Sequence, residues 1–284
     1  MKSEQVNRAE RRLRKTRVIA VSSGKGGVGK TLIALGLSMV LANMKKDVLL
    51  VDADLGTANV NVVLGLPVEY NLWDVVKART DVDNAIMSVE EHLDLLPGVS
   101  GVYEATFWRM RDTEKLWREL DAVLSRYDYA IIDTGSGIGN TVVQFCMAAD
   151  EVIVVFTPEA TSITDAYALI KTLHKEGYEG NIYALENMVR KTQSDLVLAV
   201  SLKSMVKRFF NREIEILGAI PFDPQISKQV RYQDLGKYLQ RSDEFMFNMK
   251  TVVKNLLKSG EDMGSYEPSF WSKLRNFLGR TMRG

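Results

Sequence analysis

The chain holds one cysteine, Cys146, among 284 residues. That excludes an intrachain disulfide and a Cys-x-x-Cys metal pair, and it points to a reducing compartment. Charge of one sign is also lacking. Lys and Arg number 37 against 36 Asp and Glu, a net charge of +1. No global field therefore draws the chain to nucleic acid or to a membrane, and any such binding has to be local. No apolar run approaches the ~18 residues needed to cross a bilayer. The first residues, MKSEQVNRAERRLRK, lack the apolar core of a signal peptide. The cytoplasm is the expected compartment. There is no internal repeat and no low-complexity tract. Hydrophobic residues make up 46% and charged residues 26%, enough apolar content and length for one large α/β domain with a substantial core.

The most informative stretch is Val18 to Thr31, VIAVSSGKGGVGKT. A β-branched apolar run meets a glycine-rich turn, and a helical pattern opens at Lys30. Gly24, Gly29, Lys30 and Thr31 match the G-x-x-x-x-G-K-[ST] phosphate loop. Gly24, Gly26, Gly27 and Gly29, with Val28 between them, let backbone N–H groups close around phosphate oxygens. The N-terminus of the next helix adds its positive dipole end. Lys30 is expected along the β/γ-phosphates and the Thr31 hydroxyl on Mg²⁺. A second lysine, Lys25, directly follows Gly24.

Apolar runs then alternate with amphipathic helical patterns. Strands are expected at Val48–Asp52, near Leu93–Leu96, at Tyr129–Asp133 and Val152–Phe156, and near Ile182–Leu185 and Ile214–Ala219. Helices are expected near 113–126, up to Ala148, at Ser162–Lys175 and at 193–210. This alternation implies a parallel sheet covered on both faces, with ligand at the carboxyl ends of its strands. Two carboxylates close the second strand, Asp52 and Asp54, and an i, i+2 pair on an extended segment points the same way. Tyr129–Ile132 is an apolar strand capped by Asp133, the shape of a Walker B strand whose carboxylate joins a Mg²⁺ shell. Thr134–Gly137 follows as a flexible loop that a γ-phosphate can order.

The form K-G-G-x-G-K-T, Lys25 to Thr31, resembles the deviant phosphate loop of the MinD/ParA family. Thr157-Pro-Glu-Ala-Thr-Ser-Ile-Thr-Asp-Ala-Tyr167 resembles a segment of its FlhG/FleN-type flagellar-number regulators. Asp52–Asn59, Leu96–Gly101 and Gly218–Pro224 agree with that branch. The resemblance spans roughly residues 18–258. It implies a three-layer α/β phosphate-loop NTPase of the SIMIBI type with a mostly parallel sheet covered by helices on both faces, to which the residues of the tail add a C-terminal amphipathic helix. It also implies ATP and Mg²⁺ as cofactors and an ATP-dependent homodimer in which Lys25 crosses to the partner's phosphates. Asp54 is implied to orient the attacking water, and Asp52 to help organise Mg²⁺ with Thr31 and Asp133. Asn187 is implied to read adenine, with the Pro221–Phe222–Asp223 turn walling the base. Implied partners are flagellar: a signal-recognition-type GTPase, a switch or C-ring component, or a flagellar transcription activator. The family's D-Q-A-x-x-L-R activation helix is not matched, since Val6 follows Gln5 and Leu13-Arg14 falls at the wrong spacing.

The two ends are read separately. Residues 1–17 form a basic arm, either a solvated tail or a partner-binding segment. Residues 259–268 read as a linker. In residues 269–284, Phe270, Trp271, Leu274, Phe277, Leu278 and Met282 fall on one helical face, flanked by Lys273 and other basic residues with no acid. That is the pattern of an in-plane membrane helix on the inner face of the cell membrane. The same face would equally suit docking on the protein body, and docking without ATP with release in ATP would satisfy both. The leading expectation is a slow, partner-stimulated ATPase switch that controls flagellar number. Its rivals are a DNA-riding partition ATPase, which the net charge does little to support, and a regulator that binds ATP without needing turnover. An iron–sulfur carrier is disfavoured by the single cysteine.

Overall fold

The strands that read as unbroken apolar runs are buried on both faces, as a sheet sandwiched between helices requires. The computed structural model describes residues 15–54, 60–98, 114–190, 196–259 and 268–281. Residues 1–14 of the arm, 55–59, 99–101, most of the linker and Met282 fall outside them. Eight strands form one sheet: β1 (Arg17–Ser23), β2 (Val48–Ala53), β3 (Met87–Glu90), β4 (Leu93–Leu96), β5 (Tyr129–Ser136), β6 (Glu151–Phe156), β7 (Asn181–Val189) and β8 (Glu215–Pro221). Their order is β3-β4-β2-β5-β1-β6-β7-β8. Pairing is parallel except between β3 and β4. β1 thus lies between β5 and β6, and the loop after it opens at the centre of the carboxyl edge.

Successive residues of β1 feed opposite layers. Val18 and Ala20 join one apolar cluster, while Ile19 and Val21 join the other. The second layer is built on α1 (Lys30–Asn43) and a late helix, Asp243–Ser259. A Cβ on Gly36 would stand 2.8 Å from the Phe245 ring and 3.1 Å from Met249 Cγ. The missing side chain is what lets these two helices touch. Short helices α2 (Val60–Leu64), α3 (Leu72–Val76) and α4 (Val82–Ala85) lead to β3, and α5 (Glu114–Leu124) precedes β5. On the first layer lie α5, α6 (Asn140–Ala148), α7 (Ala160–Lys175) and α8 (Val197–Phe210); α9 (Pro224–Arg231), α10 (Leu235–Arg241) and α11 (Asp243–Ser259) follow β8.

Three features differ from the sequence reading. The antiparallel edge strand β3 has no alternating apolar signal, because MSVE is only half-buried. β5 runs on to Ser136 instead of ending at Asp133, since Ser23 pairs with Ser136 and Gly137 N donates to Ser23 O. The arm's last residues, Lys15–Arg17, belong to the body. The Thr16 hydroxyl donates to Leu124 O and Tyr127 O, and Arg17 starts β1.

The C-terminal helix α12 (Phe270–Thr281) lies docked, not bare. Phe270, Trp271 and Leu274 are at most 3% exposed and join the core layer with α5 and α6. Phe270 stacks on Phe145 and Trp271 sits against Trp117, each pair with centroids 6.3 Å apart. Phe277 is half-buried. Of the two readings of this face, the structure holds the docked one. Among the described residues no helix is long and apolar enough to cross a membrane.

Arg17 makes a two-pronged ion pair with Glu151, both bonds 2.8 Å, and the Glu151 side chain is fully buried. Burial raises the Glu151 carboxyl and Arg17 opposes the rise. Arg17→Ala strands that carboxylate, and an expected loss of about 3–5 kcal/mol in urea unfolding should follow. The paired change Arg17→Met with Glu151→Leu should recover most of the loss.

Candidate nucleotide site

The shape of the loop between β1 and α1 rests on its glycines. Gly27 and Gly29 have φ of 77° and 88°, in the left-handed region that glycine enters without penalty. Gly29 is the N-cap of α1; no side chain caps the helix, and its first turn carries no acid. Its leading N–H groups are thus left to an anion. Gly24 is required by a close approach. A Cβ there would fall 2.0 Å from Asp165 O, in the second turn of α7. The Thr157–Tyr167 segment therefore packs directly on the loop.

The lysines take different places. Lys30 is 7% exposed, and its Nζ donates to Ser136 Oγ. Burial lowers its pKa, while the charges of Asp133 and Asp54 hold it up. Lys25 stands at the mouth of the loop. Its Nζ lies 2.8 Å from Glu159 Oε2 and 3.1 Å from Thr161 Oγ1, both on the family-specific segment. The Lys25 and Glu159 side chains are 39% and 62% exposed, so their pairing holds the lysine by ~0–1 kcal/mol.

Asp52 and Asp133 are register partners on adjacent parallel strands, 1% and 2% exposed. Asp133 Oδ2 accepts the Thr31 hydroxyl at 2.7 Å, and Asp133 Oδ1 has no partner. Its carboxyl is pushed up to about 7, first by burial and then by the charge of Asp52; Thr31 and Lys30 pull the other way. An orphaned buried carboxylate oxygen beside a hydroxyl and a second carboxylate fits a divalent cation. Among the described residues no group of three or more His, Cys, Asp and Glu could hold a metal. That suits Mg²⁺, which takes one or two protein oxygens and completes its shell with phosphate and water. Thr31 and Asp133 would hold it directly or through water. Asp52 also anchors backbone, accepting from Asp54 N at 3.3 Å and Val60 N at 3.1 Å. Asp54 lies by Gly135, where a Cβ would meet its Oδ1 at 3.7 Å, and its charge reaches both Lys30 and Asp133. Both carboxylates of the second strand end thus lie at one site.

Asn187 is brought to the loop too. It is 1% exposed and its Nδ2 donates to Val28 O at 2.8 Å. The amide braces the phosphate loop. The Pro221–Asp223 turn lies one strand farther, with Phe222 N donating to Val189 O at 2.9 Å. It borders a cavity of about 250 Å³ shared with Tyr238, Phe245 and Asn248. Asp223 caps α9 through Gln225 N and accepts the Tyr238 hydroxyl. Sequence reasoning placed Ser136 in a flexible loop and Glu159 in the family-like segment, but paired neither with a lysine. Each lies over a hundred residues from its lysine, so no local spacing announces it.

In nucleotide-free, magnesium-free protein, native Asp133 keeps a proton that an unfolded aspartate, ordinarily near 3.8, has released. The native state then binds more protons between about pH 4 and 7, so this group makes stability fall as pH rises through that window. The gap corresponds to roughly 4 kcal/mol. Asp133→Asn should remove this dependence in urea unfolding at pH 5 and pH 8, and should abolish stabilisation by Mg²⁺-nucleotide. An unchanged difference between the two pH values would exclude Asp133 as its source.

Comparison with known proteins agrees with this geometry. A family profile described as an AAA domain matches residues 16–182. The antiactivator FleN of Pseudomonas aeruginosa is 37% identical over 216 residues, covering 76% of this chain and 77% of its own. The flagellum site-determining protein YlxH of Helicobacter pylori is 32% identical over 271 residues, covering 93% and 91%. Among solved structures, the septum site-determining protein MinD of Pyrococcus horikoshii, complexed with Mg-ADP, superposes with a TM-score of 0.69 at 26% identity, over 87% of this chain and 98% of that one. With this loop, this pair of carboxylates and these relatives, the chain belongs to the MinD/ParA family of phosphate-loop ATPases, in the branch that holds FleN and YlxH.

Proposed function

We propose that this chain is an ATP-dependent dimerising switch that regulates flagellar number and placement, and that it reaches the inner face of the cell membrane in its ATP state. The observation that carries this reading is Lys25, whose ammonium stands outside its own loop on a weak, half-exposed pair. Leaving Glu159 costs little, and a partner's triphosphate offers a stronger anion. In two copies facing each other, each Lys25 would then neutralise the other's phosphates. Lys30 stays with its own chain's phosphates and leaves Ser136 to do so. Ser136 is the last residue of β5, so the loop after it would move when Lys30 changes partner. Asp54, at the edge of the site, orients water. Bound Mg²⁺ would neutralise charge on the β- and γ-phosphate oxygens. Thr31, Asp133 and Asp52 provide the oxygens that position it.

The docked α12 is the second output. Its apolar face is engaged by the protein body, so it would have to be released before it could meet a membrane. Two released helices on one dimer bind a surface far more tightly than one, through effective concentration. The names of the relatives support the biological role: one is an antiactivator and another a flagellum site-determining protein. The solved MinC:MinD complex of Aquifex aeolicus shares the fold at a TM-score of 0.69 and 25% identity, a precedent for partner binding on it. The antiactivator name also favours a second reading, in which the ATP-bound form represses a transcription activator by contact alone. Regulation that survives Asp54→Ala would select it.

Light scattering in saturating ATP and Mg²⁺ on Asp54→Ala should show a dimer, with turnover lowered about 100-fold or more. Adding Lys25→Ala should return a monomer. A dimer that persists without Lys25 sinks the crossed-lysine arrangement. In sedimentation with anionic liposomes, the full chain should pellet with ATP and not with ADP, and a chain ending at Gly264 should pellet with neither. Equal pelleting of both chains would remove α12 from the membrane role.

A further inference from the structure

Docking of α12 covers a carboxylate as well as an apolar face. Asp121 lies on α5, one turn on from Trp117, whose ring meets Trp271 at a centroid distance of 6.3 Å. The first turn of α12 supplies its donors. The Ser272 hydroxyl donates to Asp121 Oδ2 at 3.1 Å, and the Ser269 hydroxyl and the Trp271 N–H also favour its charge. They do not satisfy it. Asp121 Oδ1 is buried without a hydrogen-bond partner. Burial is the largest influence on the group, and it raises the carboxyl's pKa against the pull of those three donors. A carboxylate in such surroundings is less favourably ionised than one in water. The rest of the contact has the opposite sign. Phe270, Trp271 and Leu274 are at most 3% exposed and share a core layer with Leu116 and Leu120 of α5 and Phe145 of α6, burial that holds the helix down.

We propose that Asp121 is a built-in opposing charge that keeps α12 releasable: seating the helix strands the carboxylate's second oxygen, and unseating it returns that oxygen to water. Buried polar atoms without a partner are rare in folded proteins, and each costs free energy for as long as it stays buried. Here the cost falls on one contact, between α5 and the first turn of α12, and it is recovered when that contact opens. The three donors limit the cost without removing it, so the helix docks but docks less tightly than its apolar face alone would hold it. An apolar helical face gains burial on lipid as well as on protein, so a bias at the polar end of the contact shifts the balance between the two. That consequence for membrane recruitment rests on the function proposed above; the opposition to docking does not.

The test is hydrogen exchange of residues 270–281 in the full chain without nucleotide. Asp121→Asn removes the charge, keeps an acceptor for Ser272, and should slow exchange there about tenfold, the low end of what an unsatisfied buried polar group costs. Asp121→Ala removes the acceptor along with the charge and should not slow it. Ser272→Ala leaves α5 untouched and should speed exchange, by more in the otherwise unaltered chain than in the Asp121→Asn background. Exchange that is unchanged or faster in Asp121→Asn overturns the proposal. Equal slowing in Asp121→Asn and Asp121→Ala overturns it too, since bulk and not charge would then be the obstacle. Sedimentation in ATP with vesicles of phosphatidylglycerol and phosphatidylcholine separates the two claims. Asp121→Asn should pellet less than the unaltered chain. Slowed exchange with undiminished pelleting would sink the membrane role of α12 and leave the opposition to docking standing.

Discussion

Two carboxyl groups held side by side in the interior, which resist carrying charge together, are the constraint on which this site depends. Parallel register between β2 and β5 puts Asp52 opposite Asp133 at the carboxyl edge. Neither is exposed, and one oxygen of Asp133 is left without a partner. A fold does not keep such a pair for stability, since buried carboxylates in this arrangement cost free energy until a cation arrives. The surroundings would suit such a cation. Thr31 opens α1 with its hydroxyl on Asp133, Lys30 lies alongside, and the uncapped helix end faces the same space. Nucleotide with a metal held there would relieve the repulsion, and the ligand's charge would then be part of the energetics of the folded state.

The same logic runs outward to the two lysines and the C-terminal helix. Lys30 is held by Ser136 at the end of β5, and Lys25 by Glu159 on the loop before α7. Each lysine is thus tied to a segment with which it has no sequence proximity. On the opposite face of the sheet from α1, α12 fills a groove between α5 and α6 with two aromatic rings and a leucine. Its polar ties run to Asp121 and to Asp150, and Asp150 in turn is bonded to β1, the strand that feeds the phosphate loop. The helix and the nucleotide site share a strand as well as a domain.

Much of the fold was legible because its signals are local. A strand buried on both faces must be apolar throughout, so β1, β2, β5 and β6 could be placed within a few residues. The phosphate loop is legible for a similar reason, since its glycines and lysines act through the backbone between them. β3 escaped because a half-buried edge strand needs no apolar alternation, and the extension of β5 to Ser136 escaped because it depends on pairing with Ser23.

By itself the sequence determined the loop, its two lysines, the carboxylates closing β2 and β5, and an amphipathic C-terminal helix. Each follows from residue types at fixed spacing along a single segment. Only the tertiary structure decided that Asn187 braces Val28, that Glu159 keeps Lys25, that Lys15 and Lys273 share Asp150, and that α12 faces protein here. An apolar helical face has the same periodicity whether lipid or protein covers it, and a charge on one segment carries no label for the countercharge that folding brings to it from far along the chain.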